Sequence, residues 1–267
     1  MTSGKKARKQ RQTVARPPVR STGGRTASPK VLAIVAGAIA VAAVIAVGAI
    51  VLAGHSSSSS NSQTTTGALT TLPGASDDLA MFKGIPQQGN VLGSPKAPVT
   101  MVQYIDLQCP ICRAFETEVM PSFVSRDVRS GKVKVVYRPI AFIGADSERG
   151  RRAALSVGLQ NRLAQFSQLL YANQGTENTG WLTDDLVRAA FASIPGVNVQ
   201  QAMNNRTSQK VLSQEQTFDT QATRDKVSGT PTVLIGRTGG NLVDVSPGRA
   251  PSLSDLQNAV SALQQQK

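Results

Sequence analysis

Two sulfurs dominate the chemistry open to this sequence. Cys109 and Cys112 are the only cysteines in 267 residues, and they stand three apart in Gln108-Cys109-Pro110-Ile111-Cys112-Arg113. Two thiols at that spacing can close into a disulfide and pass it to other thiols through a mixed disulfide. Such chemistry needs a thiolate, and the flanking sequence is of a kind to make one. Val99 to Ile105 reads as a buried strand, and Arg113 to Arg129 reads as a helix. Cys109 then sits at a helix start with Pro110 at the first helical position, where the missing N–H costs nothing. Free N–H groups and the positive end of the helix dipole face the Cys109 sulfur and favour its ionised form. Cys112, one turn in and less exposed, is placed to resolve a mixed disulfide formed at Cys109.

Two other readings of the pair fit less well. A zinc site needs about four ligands, and the chain adds only His55, in a serine tract. A purely structural disulfide would close too short a loop to remove much chain entropy. The sequence offers no Ser-His-Asp arrangement, no phosphate-binding glycine loop, and no flavin or nicotinamide fingerprint, so no cofactor or metal is expected.

The elements that must hold the pair follow in order. Gly84 to Gly93 suits a small edge strand. Val99 to Ile105 leads to the cysteines, and Pro121 should kink or divide the helix after them. Lys132 to Tyr137 is a second strand. From Ser147 to about Gln209 the pattern is helical: Leu155, Leu159, Leu163, Phe166 and Leu170 share one helix face. Thr183 and Asn198 are helix caps, and Trp181 belongs to the core of this part. Thr207 to Lys226 gives a further helix. Thr232 to Ile235 and Leu242 to Val245 form a hairpin, and Ser252 to Gln264 a terminal helix.

The first 78 residues differ in kind. The net charge of +13 is concentrated in residues 1–30, which carry nine Lys and Arg and no acid; 20 basic and 16 acidic residues remain downstream. Basic residues followed at once by an apolar run point to membrane topology, and no nucleic-acid partner is expected. Val31 to Gly54 is 24 residues without a charged or polar side chain, long enough for a transmembrane helix. A cleaved signal peptide is the competing reading, though its apolar region is usually shorter. The positive-inside rule keeps residues 1–30 in the cytoplasm and puts the cysteines outside, where disulfides persist. Residues 55–78 read as a Ser/Thr-rich linker, and residues 79–267 as the catalytic domain.

The element order, with Cys-x-x-Cys opening the first long helix, resembles the DsbA family of secreted thiol–disulfide oxidoreductases: an α/β thioredoxin fold with an inserted α-helical domain, here about residues 145–209. Asp106 to Cys112, Gly229-Thr230-Pro231-Thr232 and Tyr171 to Gln174 carry the resemblance. It implies that Pro231 is cis and that Thr230 and Pro231, with Pro110 and Ile111, form the substrate groove beside Cys109. An ordinary trans proline starting a strand is the alternative. Many relatives place an acid six residues before the first cysteine, buried behind the pair, to handle the second thiol's proton. Gln103 stands there instead, while Asp106 resembles a surface position. The proton relay is left open between Gln103, Asp106 and water. Ile111 replaces the His of the strongly oxidising CPHC member. The expected function is a single-pass, membrane-anchored oxidoreductase that passes its disulfide to cysteine-containing exported polypeptides and is restored by a membrane, quinone-linked oxidase. A reductase or isomerase, and a binding module with an inert disulfide, are the rivals.

Overall fold

The computed structural model describes residues 71–265. The basic segment, the apolar span and residues 55–70 of the expected linker lie outside them. Among the described residues, no helix is long and apolar enough to cross a membrane.

The centre is a six-stranded sheet. Its strands are β1 (Gln87–Gln88), β2 (Val91–Leu92), β3 (Val99–Ile105), β4 (Val133–Pro139), β5 (Thr232–Arg237) and β6 (Val243–Asp244), in the spatial order β1-β2-β4-β3-β5-β6. The helix-crossed pair β3 and β4 is parallel, and the other neighbours are antiparallel. The alternation of side chains across the sheet sends adjacent residues to opposite layers. Gln103 bonds to Glu116 of the helix after the cysteines. Its neighbour Tyr104 bonds to Asp225, at the end of the helix Gln209–Arg224. Helices therefore cover both faces of β3, and six of its seven residues are buried.

Helix α1 (Ala75–Phe82) precedes the sheet. The boundary expected at residue 78 is corrected by it: Ala75, Asp78 and Phe82 are buried, so the polar run ends earlier than composition suggested. After β3, a helical rod α2 runs through four segments, Pro110–Ala114, Phe115–Val119, Met120–Phe123 and Val124–Val128. The second and fourth are wider π turns. Pro121 has no N–H to give to the turn before it; the wide turns absorb the mismatch, so the rod continues.

Between β4 and β5 lie α3 (Ala145–Gly158), α4 (Leu163–Ala172), α5 (Asp184–Ala192), α6 (Val199–Asn205) and α7 (Gln209–Arg224). The single apolar face expected from Leu155 to Leu170 is corrected. It belongs to two helices, separated by a tight turn in which Asn161 has φ 61°. Asn tolerates that conformation better than most residues, and Leu159, counted into the stripe, is 40% exposed. Thr183 and Asn198 accept the backbone N–H of Leu186 and Gln201. Trp181 is half-buried, packed against the core without being part of it. Helix α8 (Leu253–Gln265) closes the chain through Leu256 and Val260.

Candidate active site

Cys109 lies where β3 turns into α2. It occupies the N-cap of α2, with extended backbone (φ −72°, ψ 121°) and Pro110 in the first turn. The short strand-to-helix connection leaves the first N–H groups of α2 without helical acceptors, and the sulfur takes that place. Cys112 N–H donates to Cys109 Sγ at 3.4 Å. In the thiol form, Cys109 Sγ donates in turn to the Thr230 carbonyl at 3.4 Å. Cys109 keeps 5% of its surface and Cys112 none, so reagents reach the pair only through Cys109.

The two thiols are pushed in opposite directions. Cys109 is lowered to about 6. The bond from the Cys112 thiol is the largest cause; partial desolvation opposes it, and the Thr230 hydroxyl and the N–H groups of Cys112 and Ile111 add to the lowering. Burial pushes the Cys112 thiol well above its ordinary value, and the neighbouring Cys109 raises it further. The pair thus divides into a nucleophile that is ionised at neutral pH and a resolving thiol that is not.

The loop carrying Cys109 is held from several sides. Asp106 Oδ1 accepts the N–H of Gln108 at 3.0 Å, and Oδ2 accepts those of Phe142 and Ile143 at 2.7 and 3.1 Å. The reading of Asp106 as a surface position is corrected: it is fully buried because two backbone segments need its oxygens as acceptors. Tyr171 donates to the Asp106 carbonyl at 3.0 Å, and Gln174 Nε2 donates to the carbonyls of Leu107 and Cys109 at 3.0 and 3.3 Å. The Gln108 amide is bonded to Ser147 and Asn178. The helical insertion therefore grips the cysteine loop through neutral hydrogen bonds.

Opposite the pair, the Thr230–Pro231 peptide bond is cis. Thr230 and Pro231 line a shallow cleft of about 230 Å³ with Ile111, Gly229, Ser246 and Arg249. Ile111, and Phe142 on the Asp106-held loop, are each 55% exposed. The structure thus brings together Cys109, Cys112, Pro110, Ile111, Thr230 and Pro231.

Neither residue named for the proton relay is free for it. Asp106 is occupied as described, and Gln103 is a fully buried amide that carries no titratable proton; its Nε2 donates to Glu116 Oε1 at 2.7 Å. The acid behind the pair is Glu116, which the sequence reading missed. Its signal was spacing: it stands four residues after Cys112, so both fall on one side of a helix. Burial pushes Glu116 up to about 8, with the Gln103 bond opposing. Among the described residues, no group of His, Cys, Asp and Glu side chains could hold a metal.

Comparison with known proteins agrees with this geometry. A family model described as thioredoxin matches residues 87–244. The chain is 30% identical over 183 residues to a probable disulfide bond formation protein D of Bacillus cereus, covering 67% of this chain and 80% of the relative. A disulfide bond formation protein D of Bacillus subtilis is 24% identical over 147 residues, covering 54% and 66%. Among solved structures, oxidised BdbD of Bacillus subtilis superposes with TM-score 0.58 at 20% identity, covering 67% of this chain and 96% of that one. DsbA of Chlamydia trachomatis superposes with TM-score 0.58 at 19% identity, covering 67% and 93%. The chain belongs to the thioredoxin family, among its DsbA-like thiol–disulfide oxidoreductases.

Proposed function

We propose that this oxidoreductase is a membrane-anchored, extracytoplasmic donor of disulfides to cysteine-containing exported polypeptides, re-oxidised by a quinone-linked oxidase in the membrane. The observation that carries the direction is the state of Cys109. A thiol lowered to about 6 is stabilised as thiolate in the reduced protein, and stabilising the reduced form makes its disulfide a better oxidant. The relatives named for disulfide bond formation support the same direction. The anchor and the outward orientation rest on the uncharged Val31 to Gly54 run behind nine basic residues. Exposed Ile111 in the wall of the cleft suits an unfolded chain, whose apolar side chains are still accessible.

Exchange runs in two steps. A client thiolate attacks Cys109 Sγ; a client–Cys109 bond forms, the Cys109–Cys112 bond breaks, and the electron pair leaves on Cys112. A second client thiolate then attacks the client sulfur, forming the client disulfide and releasing the Cys109 thiolate.

The test is the redox state of the pair in cells. After acid quenching and alkylation, the full-length chain should carry Cys109–Cys112 mainly as disulfide; a pair held mainly as thiols would replace this reading by a reductase or isomerase. Protease added outside spheroplasts should remove the cysteine domain, and a protected domain would overturn the orientation.

A further inference from the structure

One wall of the cleft beside Cys109 is a single stretch of chain, Lys226 to Thr232, in which every residue but Val227 lines the space. This stretch leads from α7 into β5. One residue of β3 grips both of its ends. At the far end, Tyr104 and Thr232 are partners in the antiparallel β3–β5 ladder. At the near end, Tyr104 Oη donates to Asp225 Oδ2 at 2.6 Å, and Asp225 is the residue that ends α7. Arg138, the partner of Tyr104 on β4, completes the clasp. Its guanidinium lies 5.2 Å from the centroid of the Tyr104 ring, and its Nη1 donates to Tyr104 Oη and, at 3.0 Å, to Asp225 Oδ2. Tyr104 is fully buried, and the Arg138 and Asp225 side chains are nearly so. Charge-assisted bonds shielded in this way are among the stronger ones. The chain then leaves α7 through Lys226, whose φ of 56° is a left-handed conformation that favours glycine. Such a residue persists where its surroundings over-determine it. Here the N–H groups of Lys226 and Val227 donate to the Thr223 and Ala222 carbonyls, and Asp225 is fixed by Tyr104, Arg138 and Arg224. Burial first, then the bond to Asp225, push Tyr104 up to about 12. Against its burial, the bonds from Arg224 and Tyr104 hold Asp225 below its ordinary value. Tyr104 therefore keeps its proton, and Asp225 its charge, throughout the neutral range.

We propose, on the reading that client peptide lies in this cleft, that Tyr104 is a positioning residue for the peptide: its backbone holds Thr232, its hydroxyl holds Asp225, and the wall between them keeps its shape. Tyr104 touches neither sulfur nor client. Its two grips can be separated. The ladder pairing does not depend on the side chain at 104, and the Thr232 hydroxyl donates to the Gly229 carbonyl at 2.8 Å. Thr230 and Pro231 therefore keep their place beside Cys109 when the hydroxyl is removed. The hydroxyl alone joins Tyr104 to Asp225, so its loss frees the half of the wall that starts at Lys226. A freed wall must be ordered again each time a peptide binds. Binding is weakened, while exchange at the sulfurs runs as before. The role is the same in either direction of exchange, and no proton or electron passes through the clasp.

The experiment uses the full-length protein in mild detergent, with single-turnover oxidation of a cysteine-containing model peptide over a series of peptide concentrations. Dithiothreitol serves as a second substrate, with no chain to lay in the cleft. Tyr104→Phe keeps the ring beneath Arg138 and removes the hydroxyl. The half-saturating peptide concentration should rise about three- to tenfold, the range that loss of one hydrogen bond covers. The limiting rate, the rate with dithiothreitol and the pH midpoint of Cys109 alkylation should stay close to those of wild type. Asp225→Asn keeps the shape of the acceptor without its charge and should raise the same concentration. Added to Tyr104→Phe it should raise it little further, because the hydroxyl acts through Asp225. An unchanged half-saturating concentration in Tyr104→Phe overturns the proposal. Equal losses toward peptide and dithiothreitol overturn it too, since a general loosening of the fold gives that result. Ser228→Trp, which blocks the cleft from its own wall, separates this role from the reading of the cleft. A rise in Ser228→Trp alone removes the role of Tyr104 and keeps the cleft; a rise in neither removes both. Should Tyr104→Phe not fold, Asp225→Asn decides by the same readouts.

Discussion

The two sides of the cysteine pair are made of different groups. In front, Cys109 is held by backbone N–H groups, carbonyls and neutral amides: Gln108, Gln174 and Thr230 carry no charge, and the one acid, Asp106, is saturated with N–H donors. Between the sheet and the active-site helix that carries Cys112, two carboxyls and a phenol are buried together. Neutral hydrogen bonds fix geometry and do not titrate between pH 5 and 9. Buried carboxyls fix little, since several of their neighbours are unpaired, but they exchange protons in that range. Apart from Cys109 itself, the groups that position the pair and the buried carboxyls thus lie in different parts of the domain.

The sharpest break of this comparison is to remove each sulfur in turn. Cys112→Ser should leave Cys109 reactive and accumulate mixed disulfides with client chains. Cys109→Ser should trap few or none, because Cys112 has no exposed surface. Non-reducing gels of alkylated full-length protein measure both, and equal trapping would contradict the burial difference. Turnover should be abolished in both.

The back should dominate the pH dependence of stability. Glu116 keeps its proton up to about 8 when folded, against an ordinary value of 4.5. Between those values the folded state binds a proton that the unfolded chain has lost, so stability falls as pH rises and levels off above 8. At about 1.4 kcal/mol per unit Glu116 alone contributes a decline of at most ~5 kcal/mol, and Asp78, raised in the same direction, adds to it. Urea titrations from pH 4.5 to 9 should show it in wild type and a flatter profile in Glu116→Gln. A wild-type profile that rises through this window would count against a buried neutral Glu116.

The front should respond strongly to loss of hydrogen bonds. Asp106→Ala strands three N–H groups, on Gln108, Phe142 and Ile143. Each unpaired buried group costs about 1–3 kcal/mol, and two of these lie at a partly open loop, so about 3–4 kcal/mol is expected from urea unfolding. An unchanged midpoint would mean that water replaces the carboxylate at these N–H groups.

The two sides also differed in how far the sequence disclosed them. The front was legible because its groups are sequential: Cys109, Pro110 and Cys112 follow a β-branched strand, so local rules for helix starts suffice. Thr230 and Pro231, far along the chain, came from a motif resemblance. The back is an assembly of Asp78, Gln103, Glu116 and Tyr137 from four elements, and none has a local signature. Asp78 was assigned to the linker because composition cannot say that Ala75 and Phe82 are buried. Asp106 looked exposed because it resembles a surface position of the family's motif; the return of the Phe142–Ile143 backbone buries it as an acceptor. The stripe from Leu155 to Leu170 misled because the chain turns at Asn161 and the second helix resumes nearly in phase.

The finest adjustment lies at Ile111, which touches the front alone. Its side chain carries neither charge nor hydrogen bond, yet Cys109 is already at about 6, below the roughly 8.5 of a free cysteine and above the ~3.5 of the CPHC oxidant. Local hydrogen bonds therefore account for about half of that span without a cation between the cysteines. Ile111→His would place an imidazole one residue before Cys112. The site is 55% exposed, so an imidazolium about 5 Å from the sulfur acts through a largely aqueous medium and stabilises the thiolate by about 1 kcal/mol. That equals a rise in reduction potential of about 20 mV, toward a stronger oxidant. The sign of its pH dependence is set by the imidazole, charged below about 6.5 and neutral above: the rise should be full at pH 5.5 and fade by pH 8. Equilibration against glutathione at both pH values measures it. A rise of equal size at pH 8 would mean that His acts through a hydrogen bond rather than its charge. No rise at pH 5.5 would mean that the Cys112 thiol, Thr230 and the helix-start N–H groups set the Cys109 thiolate without help from position 111.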